Sequence, residues 1–444
     1  MREKTFYLES LGCAKNTVDS ESMSALLQQA GYRQVRKPEQ AEVLIVNTCG
    51  FIAAARDESY SVLKALADKK HGGQWLIAAG CLTERYRQEV AARVPAVDGI
   101  LGTRRWMDIL DVVEALRHDR SHALYQLPEV PALSREERGV MRSAIQGGSA
   151  YLKIADGCRR GCAFCAIPLI KGTAVSRTPE VVIEEARVLA EHGVKELILI
   201  AQDTTDYGSD LGLKDGLASL LEKITSTVPA LPWIRLLYTF PGFVTDRLID
   251  VMASSRQILP YLDIPLQHAD TGILRAMKRP SDMQGVRKLI AKMRARMPDL
   301  AIRSTFIVGY PGEGEQEFNT LLEFLSEMRL DHVGAFTFSF EEGTPSQSLG
   351  DSVPAAVKEE RLERLMTLQA GISLAKNQTF VGKTMDVLIE GVDNKQGISV
   401  GRSYRDAPEI DGLVIVEGNL PVGDIAQVHI GGALTHDLTG MVSN

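Results

Sequence analysis

The chain has 444 residues, 45% of them hydrophobic and 24% charged, with a net charge of −7 at pH 7. At about 150 residues per domain this is enough for roughly two to four domains, and the composition is ordinary for folded globular protein. The acidic balance argues against a chain dominated by a nucleic-acid footprint, and with no leader-like apolar core or run near about 18 apolar residues, a cytoplasmic protein is expected.

Up to about residue 120, apolar runs alternate with helical patterns. TFYLESLG, EVLIVNTCG and WLIAAGC read as strands, each followed by an amphipathic stretch: TVDSESMSALLQQAG, ARDESYSVLKALADKK and TERYRQEVAARV. Strand–helix alternation predicts an open parallel α/β domain over residues 1–120. The polar, irregular text that follows reads as a linker over 121–146.

A second alternation occupies residues 147–380. Its strands are YLKIADG, ELILIAQD, WIRLLY, YLDIPLQ, AIRSTFIVG and VGAFTFSF, and a long helix near 355–379 closes the series. Six βα units are fewer than the eight of a full barrel, so a partial (βα)6 barrel is expected, with its site on the loops after the strands. From residue 381 to 444, short alternating runs separated by glycines predict a small five-stranded β barrel of OB-like size. The fold class is therefore α/β and multidomain.

Six cysteines fall into two sets of three. Cys158, Cys162 and Cys165 lie in CRRGCAFC, on the loop after the first strand of the partial barrel. Thiolates at Cys-x3-Cys-x2-Cys spacing suit an iron–sulfur cluster, which normally takes four cysteine ligands. Three leave one iron open, as a catalytic metal requires. The competing structural reading is a zinc site completed by a distant His192 or His268. With Phe164 before the last cysteine, the motif resembles the radical S-adenosylmethionine superfamily. The resemblance implies a 4Fe–4S cluster whose open iron is chelated by the methionyl amine and carboxylate of S-adenosylmethionine. It also implies one-electron cleavage to a 5′-deoxyadenosyl radical.

Cys13, Cys49 and Cys81 each follow an apolar strand and precede a helix, positions that gather on the carboxyl edge of an open parallel sheet. Whether the three strands are neighbours is not legible in the text. They read as a second three-cysteine cluster; the alternatives are buried structural thiols or a flavodoxin-like electron carrier, and no glycine-rich phosphate loop is present. Two such sets, followed by a small barrel, resemble the methylthiotransferase family, whose order is an N-terminal cluster domain, a radical barrel and a C-terminal TRAM barrel. The resemblance implies C–H to C–S–CH3 conversion, with two 4Fe–4S clusters and S-adenosylmethionine as cofactors. One cofactor molecule supplies the methyl group and another the radical; the second cluster handles sulfur.

SLGCAKNTVDSE, NTCGFI, QDTTDYGSDL, YLDIPLQH, EEGTPSQ and DAPEIDG resemble the RimO branch, which modifies an aspartate β-carbon in a ribosomal protein of the small-subunit decoding centre. The tRNA-modifying branch is the alternative, and a non-catalytic iron–sulfur RNA-binding protein is the third. Lys171 departs from the arginine expected in IPLIKG. From residue 371 onward five Lys and Arg face nine Asp and Glu, a balance of −4, which suits a basic protein partner better than RNA. A reductant such as a flavodoxin-type donor is expected as a partner, with no membrane and no stable nucleic-acid partner. Gln202 and Asp203 at the second barrel strand's end, Arg303 within the fifth, and Gly309 and Gly312 just after it are candidate cofactor contacts. A structural ion pair is the other reading of Arg303. His268 reads as structural.

Overall fold

A computed structural model describes residues 3–118, 124–126 and 138–443. The chain folds into two compact units. The first takes the described residues up to Ala144, together with Tyr151–Arg177 and Glu341–Thr344; the second takes Ile145–Ala150, Thr178–Phe340 and the chain from Pro345. Most of the expected linker lies outside the described residues.

In the first unit, strands β1 (Thr5–Ser10), β2 (Arg33–Gln34), β3 (Val43–Thr48), β4 (Trp75–Gly80), β5 (Gly99–Gly102) and β6 (Leu124–Gln126) form one parallel sheet in the order β2-β1-β3-β4-β5-β6. β3 and β4 are buried at every position, because helices cover both faces. Side chains alternate across the sheet. Ile45 and Ile77 face one side with α1 (Ala14–Gln29) residues such as Met23 and Leu27; Leu44, Val46 and Leu76 face the other with Leu63 of α2 (Ala53–Lys69). The single helix expected over TERYRQEVAARV is two, α3 (Cys81–Tyr86) and α4 (Gln88–Arg93). Arg87, at φ 44°, stands outside helical geometry and breaks it. Helix α5 (Ile109–His118) packs on the opposite face, beside α1.

Two strands, β7 (Ser143–Gln146) and β8 (Ser149–Lys153), lead into the barrel sheet. A short antiparallel clasp of β9 (Ala155–Asp156) and β10 (Val175–Ser176) then encloses the second cysteine loop and α6 (Ile167–Lys171), all within the first unit.

The second unit carries β11 (Glu196–Ile200), β12 (Trp233–Leu236), β13 (Ile258–Asp263), β14 (Ala301–Val308) and β15 (His332–Thr337), each paired in parallel with the next. The complete sheet runs β15-β14-β13-β12-β11-β8-β7. Six of these strands are the six expected. Helices α7 (Pro179–Glu191), α8 (Gly216–Thr227), α9 (Asp246–Ser254), α10 (Thr271–Ala276), α11 (Met283–Arg296) and α12 (Glu315–Met328) connect them. Thr245, Asp270 and Asp282 cap three of these helices, accepting from backbone N–H groups in the first turn. Helix α13 (Ala355–Gln378) leads to a closed barrel of β16 (Thr384–Asp393), β17 (Ile398–Ser403), β18 (Val414–Glu417), β19 (Ile425–Ala433) and β20 (Leu438–Val442). Val387, Ile389, Val414, Val416, Val428 and Ile430 fill it.

Candidate active site: two cysteine sets in one unit

All six cysteines belong to the first unit. β1, β3 and β4 are consecutive in its sheet, with Ser10 opposite Asn47 and Thr48 opposite Gly80. The question left open by the sequence is thus answered: Cys13, Cys49 and Cys81 stand beyond the carboxyl ends of three neighbouring strands. Cys13 is the N-cap of α1, Cys49 follows β3 directly, and Cys81 opens α3. Helix N-termini favour negative charge, and thiolate ligands bring it.

The loops are held close together. Gly12, at φ +91°, approaches Cys49 so nearly that a Cβ on it would lie 2.9 Å from the Cys49 Cβ and 3.1 Å from its Sγ. Gly80, at φ +104°, passes so near Asn47 and Thr48 that a Cβ would lie 2.4 Å from Asn47 Oδ1. Both turns therefore require a residue without a side chain.

Asn16 knots the set together. Its Nδ2 donates to the carbonyls of Leu11 (2.8 Å) and Thr48 (3.0 Å), and its Oδ1 accepts from Cys81 Sγ (3.5 Å). Asn47 Nδ2 donates to the Asn16 carbonyl and to Ser20 Oγ, both at 2.9 Å. Ser59 of α2 fixes Cys49 from both sides, accepting from its N–H (3.0 Å) and donating to its carbonyl (2.9 Å). Sequence reasoning missed Asn16, Asn47 and Ser59. The signal was present in AKN and VNT, where amides flank two of the cysteines, but polar residues beside a strand end have many uses.

The Cys158, Cys162 and Cys165 loop is closed by Cys158 N–H donating to the Gly172 carbonyl (3.0 Å) and Cys165 N–H to the Cys162 carbonyl (3.1 Å). Arg160 N–H donates to Cys158 Sγ (3.4 Å), a bond that favours the thiolate. Cys162 is buried, while Cys158, Cys165 and Phe164 are half-buried. The first set packs against the segment that follows the second: Cys81 shares an apolar contact cluster with Ala166 and Ile170, residues of the segment that begins directly after Cys165.

Beside this contact lies a buried group of charges. Lys171 Nζ donates to Asp19 (2.9 Å) and Asp156 (3.3 Å); Lys153 Nζ donates to Asp19 (2.6 Å) and Asp156 (2.9 Å). Arg142 pairs with Asp19 while stacking 3.9 Å from the Trp106 ring centroid. Although burial opposes ionisation, these cations hold the Asp19 carboxyl down at about 2. Burial pushes the Cys49 and Cys81 thiols up, with Lys171 the main opposing influence on Cys81. Iron binding must therefore displace protons from both.

The residues present fit the implied clusters. Each set offers three soft thiol donors, and the bare Gly12 leaves the face beside Cys49 clear. Among the described residues no three His, Cys, Asp or Glu gather tightly enough for a single metal ion. A cube offers separate iron corners to separate thiolates, so its cysteines need no such closeness. The histidines of the zinc reading are engaged elsewhere: His192 Nδ1 contacts the Val188 carbonyl at 2.7 Å, and fully buried His268 lies 3.3 Å from Glu313.

The remaining candidates fall in the second unit. Gln202 and Asp203 lie just beyond the carboxyl end of β11, where Asp203 Oδ1 accepts from Thr205 Oγ1 (2.5 Å). Gly309 and Gly312 follow β14; a Cβ on Gly309 would meet Lys358 Cγ at 2.3 Å, whereas nothing lies near Gly312. Arg303 is six residues before Gly309 on β14, about 20 Å back along the strand. It pairs with Asp263 (3.1 Å) and Asp411 (3.3 Å), so the ion-pair reading is the one this chain displays. Tyr238 (φ 61°) and Gln267 (φ 76°), beyond β12 and β13, hold left-handed backbone that sequence reasoning did not find.

Family models match in the same order as these parts: Uncharacterized protein family UPF0004 over residues 5–102, the Radical SAM superfamily over 152–325 and the TRAM domain over 381–442. The fold is also that of the radical S-adenosylmethionine methyltransferase TsrM from Kitasatospora setae. That structure matches at a TM-score of 0.56 and 12% identity, covering 86% of this chain and 79% of that one. The chain is a radical S-adenosylmethionine enzyme with an added N-terminal cysteine domain and a C-terminal TRAM barrel.

Relatives named ribosomal protein uS12 methylthiotransferase RimO resemble it throughout. One from Chloroflexus aurantiacus is 48% identical over 98% of this chain and 99% of its own, and one from Roseiflexus sp. is 46% identical over 98% and 96%. The chain belongs to the RimO methylthiotransferase family. Its cofactors are S-adenosylmethionine and 4Fe–4S clusters.

Proposed function

We propose that this chain attaches a methylthio group to the β-carbon of an aspartate in ribosomal protein uS12. Cys158, Cys162 and Cys165 hold the radical-generating cluster, and Cys13, Cys49 and Cys81 hold the cluster that handles sulfur. With S-adenosylmethionine bound, the first cluster supplies the one-electron chemistry that activates an unreactive C–H bond. The observation that carries the reading is that both three-cysteine sets belong to one unit, with Cys81 packed on the segment after Cys165.

The chain's own residues act by placement. Asn16, Asn47 and Ser59 fix the three loop ends, so the thiols are pre-set before iron arrives. The Arg160 N–H steadies Cys158 as a thiolate. In the second unit, Gln202, Asp203, Gly309 and Gly312 are proposed to meet the cofactor, each at a strand's carboxyl end.

The protein substrate is supported by the C-terminal barrel. Two of its cations are buried: Arg402 pairs with Glu196 and Glu390, and Arg405 Nη1 donates to Asn377 Oδ1. Its exposed charges are Lys383 and Lys395 against Asp386, Asp393, Glu409, Glu417 and Asp424. The charges that face solvent thus balance to 2 − 5 = −3, an acidic face that repels phosphate and attracts a basic ribosomal protein. The setting proposed is the cytoplasm, where ribosomes are found, with a flavodoxin-type protein as electron donor.

The test is anaerobic reconstitution followed by incubation with uS12, S-adenosylmethionine, sulfide and reductant. About eight irons per chain and a methylthio mass gain on one uS12 aspartate are expected. Mass gain on tRNA adenosine instead, or no deoxyadenosine at all, overturns the reading.

A further inference from the structure

The stretch DAPEIDG (406–412) joins β17 to β18 of the C-terminal barrel, yet its last carboxylate does not face solvent. The Asp411 side chain is 1% exposed and lies against the strands of the partial barrel. Its Oδ2 accepts from the Tyr261 hydroxyl of β13 (2.6 Å) and from the Ala407 N–H (3.0 Å). Its Oδ1 lies 3.3 Å from Arg303 Nε of β14 and 3.7 Å from His332 Nδ1 of β15.

Arg303 passes this hold onward. Its Nη1 donates to Oδ1 of Asp263 (3.1 Å), the last residue of β13. Asp263 Oδ2 accepts from the Tyr238 N–H (3.0 Å), and the Asp263 carbonyl accepts from the Thr239 N–H (3.0 Å) and hydroxyl (2.6 Å). Tyr238 and Thr239 belong to the loop beyond β12, where Tyr238 has φ 61°. A bulky side chain resists that angle, and such backbone persists only where its neighbours fix it. The bonds then cross to the loop beyond β11. The Tyr238 carbonyl accepts from Thr204 N–H (3.0 Å) and Oγ1 (3.2 Å); the Phe240 N–H donates to Thr205 Oγ1 (3.2 Å), which donates to Asp203 (2.5 Å). One ion pair and a run of hydrogen bonds thus join the C-terminal barrel to the strand-end loop that carries Gln202 and Asp203.

We propose that Asp263 is a positioning residue for that S-adenosylmethionine loop, and that Asp411 of the C-terminal barrel holds Asp263 in place through Arg303. The inference rests on the reading that Gln202 and Asp203 meet the cofactor. It gives the C-terminal barrel a part in cofactor binding besides any contact with the protein substrate. Either carboxylate can be removed singly without stranding a buried cation, since Arg303 keeps the other.

The test is the S-adenosylmethionine affinity of reconstituted full-length variants, read by equilibrium binding, with far-ultraviolet circular dichroism to check the fold. Asp263→Ala leaves the Tyr238 N–H without this acceptor and should raise Kd about tenfold, the equivalent of about one lost buried hydrogen bond. Asp411→Ala acts at one remove and should raise it about threefold. The double variant should bind no more weakly than Asp263→Ala alone, because Asp411 acts through Asp263; independent losses of packing would add. In the metal-free chain, hydrogen exchange at the Tyr238 amide should quicken in the same order. Should Asp263→Ala fail to fold, Asp263→Asn, whose single oxygen cannot serve both Tyr238 and Arg303, makes the same comparison. If Asp203→Ala weakens binding while neither variant at Asp263 does, the role of Asp263 is overturned. Additive effects overturn the role of Asp411. If Gln202→Ala and Asp203→Ala both leave affinity unchanged, it is the cofactor reading of the loop that fails.

Discussion

Gly12 and Asn16 show how much of the N-terminal cysteine set depends on residues that ligate nothing. A methyl group on Gly12 would press on Cys49 while its φ of +91° resists any side chain. Gly12→Ala is therefore expected to retain the fold yet hold about four irons instead of about eight, measured by iron and sulfide assay beside far-ultraviolet circular dichroism. Retention of about eight irons would mean that the loop ends need not converge. Asn16→Ala removes the acceptor for Cys81 and the donor to two loop carbonyls. Leaving buried groups unpaired costs about 1–3 kcal/mol each, so the metal-free chain should unfold at distinctly lower urea concentration. The six cysteines were legible in the text because spacing and strand-end position are local properties. Asn16 and Asp19 were not, because their partners lie far away: Thr48 for Asn16, and Arg142, Lys153 and Lys171 for Asp19.

At the scale of elements, the strands of both sheets were legible because each is an apolar run bounded by polar turns. The clasp of β9 and β10 was not, since two-residue strands carry no periodicity. Nor was the split between α3 and α4, which turns on one backbone angle at Arg87. Buried ion pairs that tie elements together were also invisible. Glu196, which opens β11, pairs with Arg235 of β12 and Arg402 of β17, all fully buried. Against the cost of burial, the two guanidinium groups hold the Glu196 carboxyl down at about 2. A carboxylate depressed in the folded state stabilises it above the unfolded value near 4.5, and that contribution is lost as pH falls through the folded value. About 3 kcal/mol is at stake. Glu196→Gln should be about 3–5 kcal/mol less stable at pH 7, because two buried cations lose their partner. It should also lose less further stability than the unsubstituted chain between pH 4.5 and pH 2, as read from urea midpoints across that range. Parallel pH profiles for the two chains would assign the acid sensitivity to other carboxylates.

For the molecule as a whole, the order of three parts and the class of chemistry were legible, since each part has its own hydrophobic rhythm and the cysteines sit at strand ends. The charge that faces solvent on the C-terminal barrel was legible only in sign. The sequence count treats Arg402 and Arg405 as surface cations, and burial removes both. What remains exposed is dominated by carboxylates, and exposed charge governs encounter rather than fold. Asp386 on β16 and Glu417 at the end of β18 are both exposed. Changing both to lysine shifts the net charge of that face by +4 while leaving the barrel interior alone. Association with free uS12 at low salt should then slow about tenfold or more, with little change in the dissociation rate. The difference should shrink as salt screens charges beyond a Debye length of about 3 Å at 1 M. Stopped-flow association at two ionic strengths reads both effects. An unchanged association rate would place substrate capture elsewhere on the second unit, and faster binding of tRNA to the native chain than of uS12 would assign the acidic face no part in choosing a substrate.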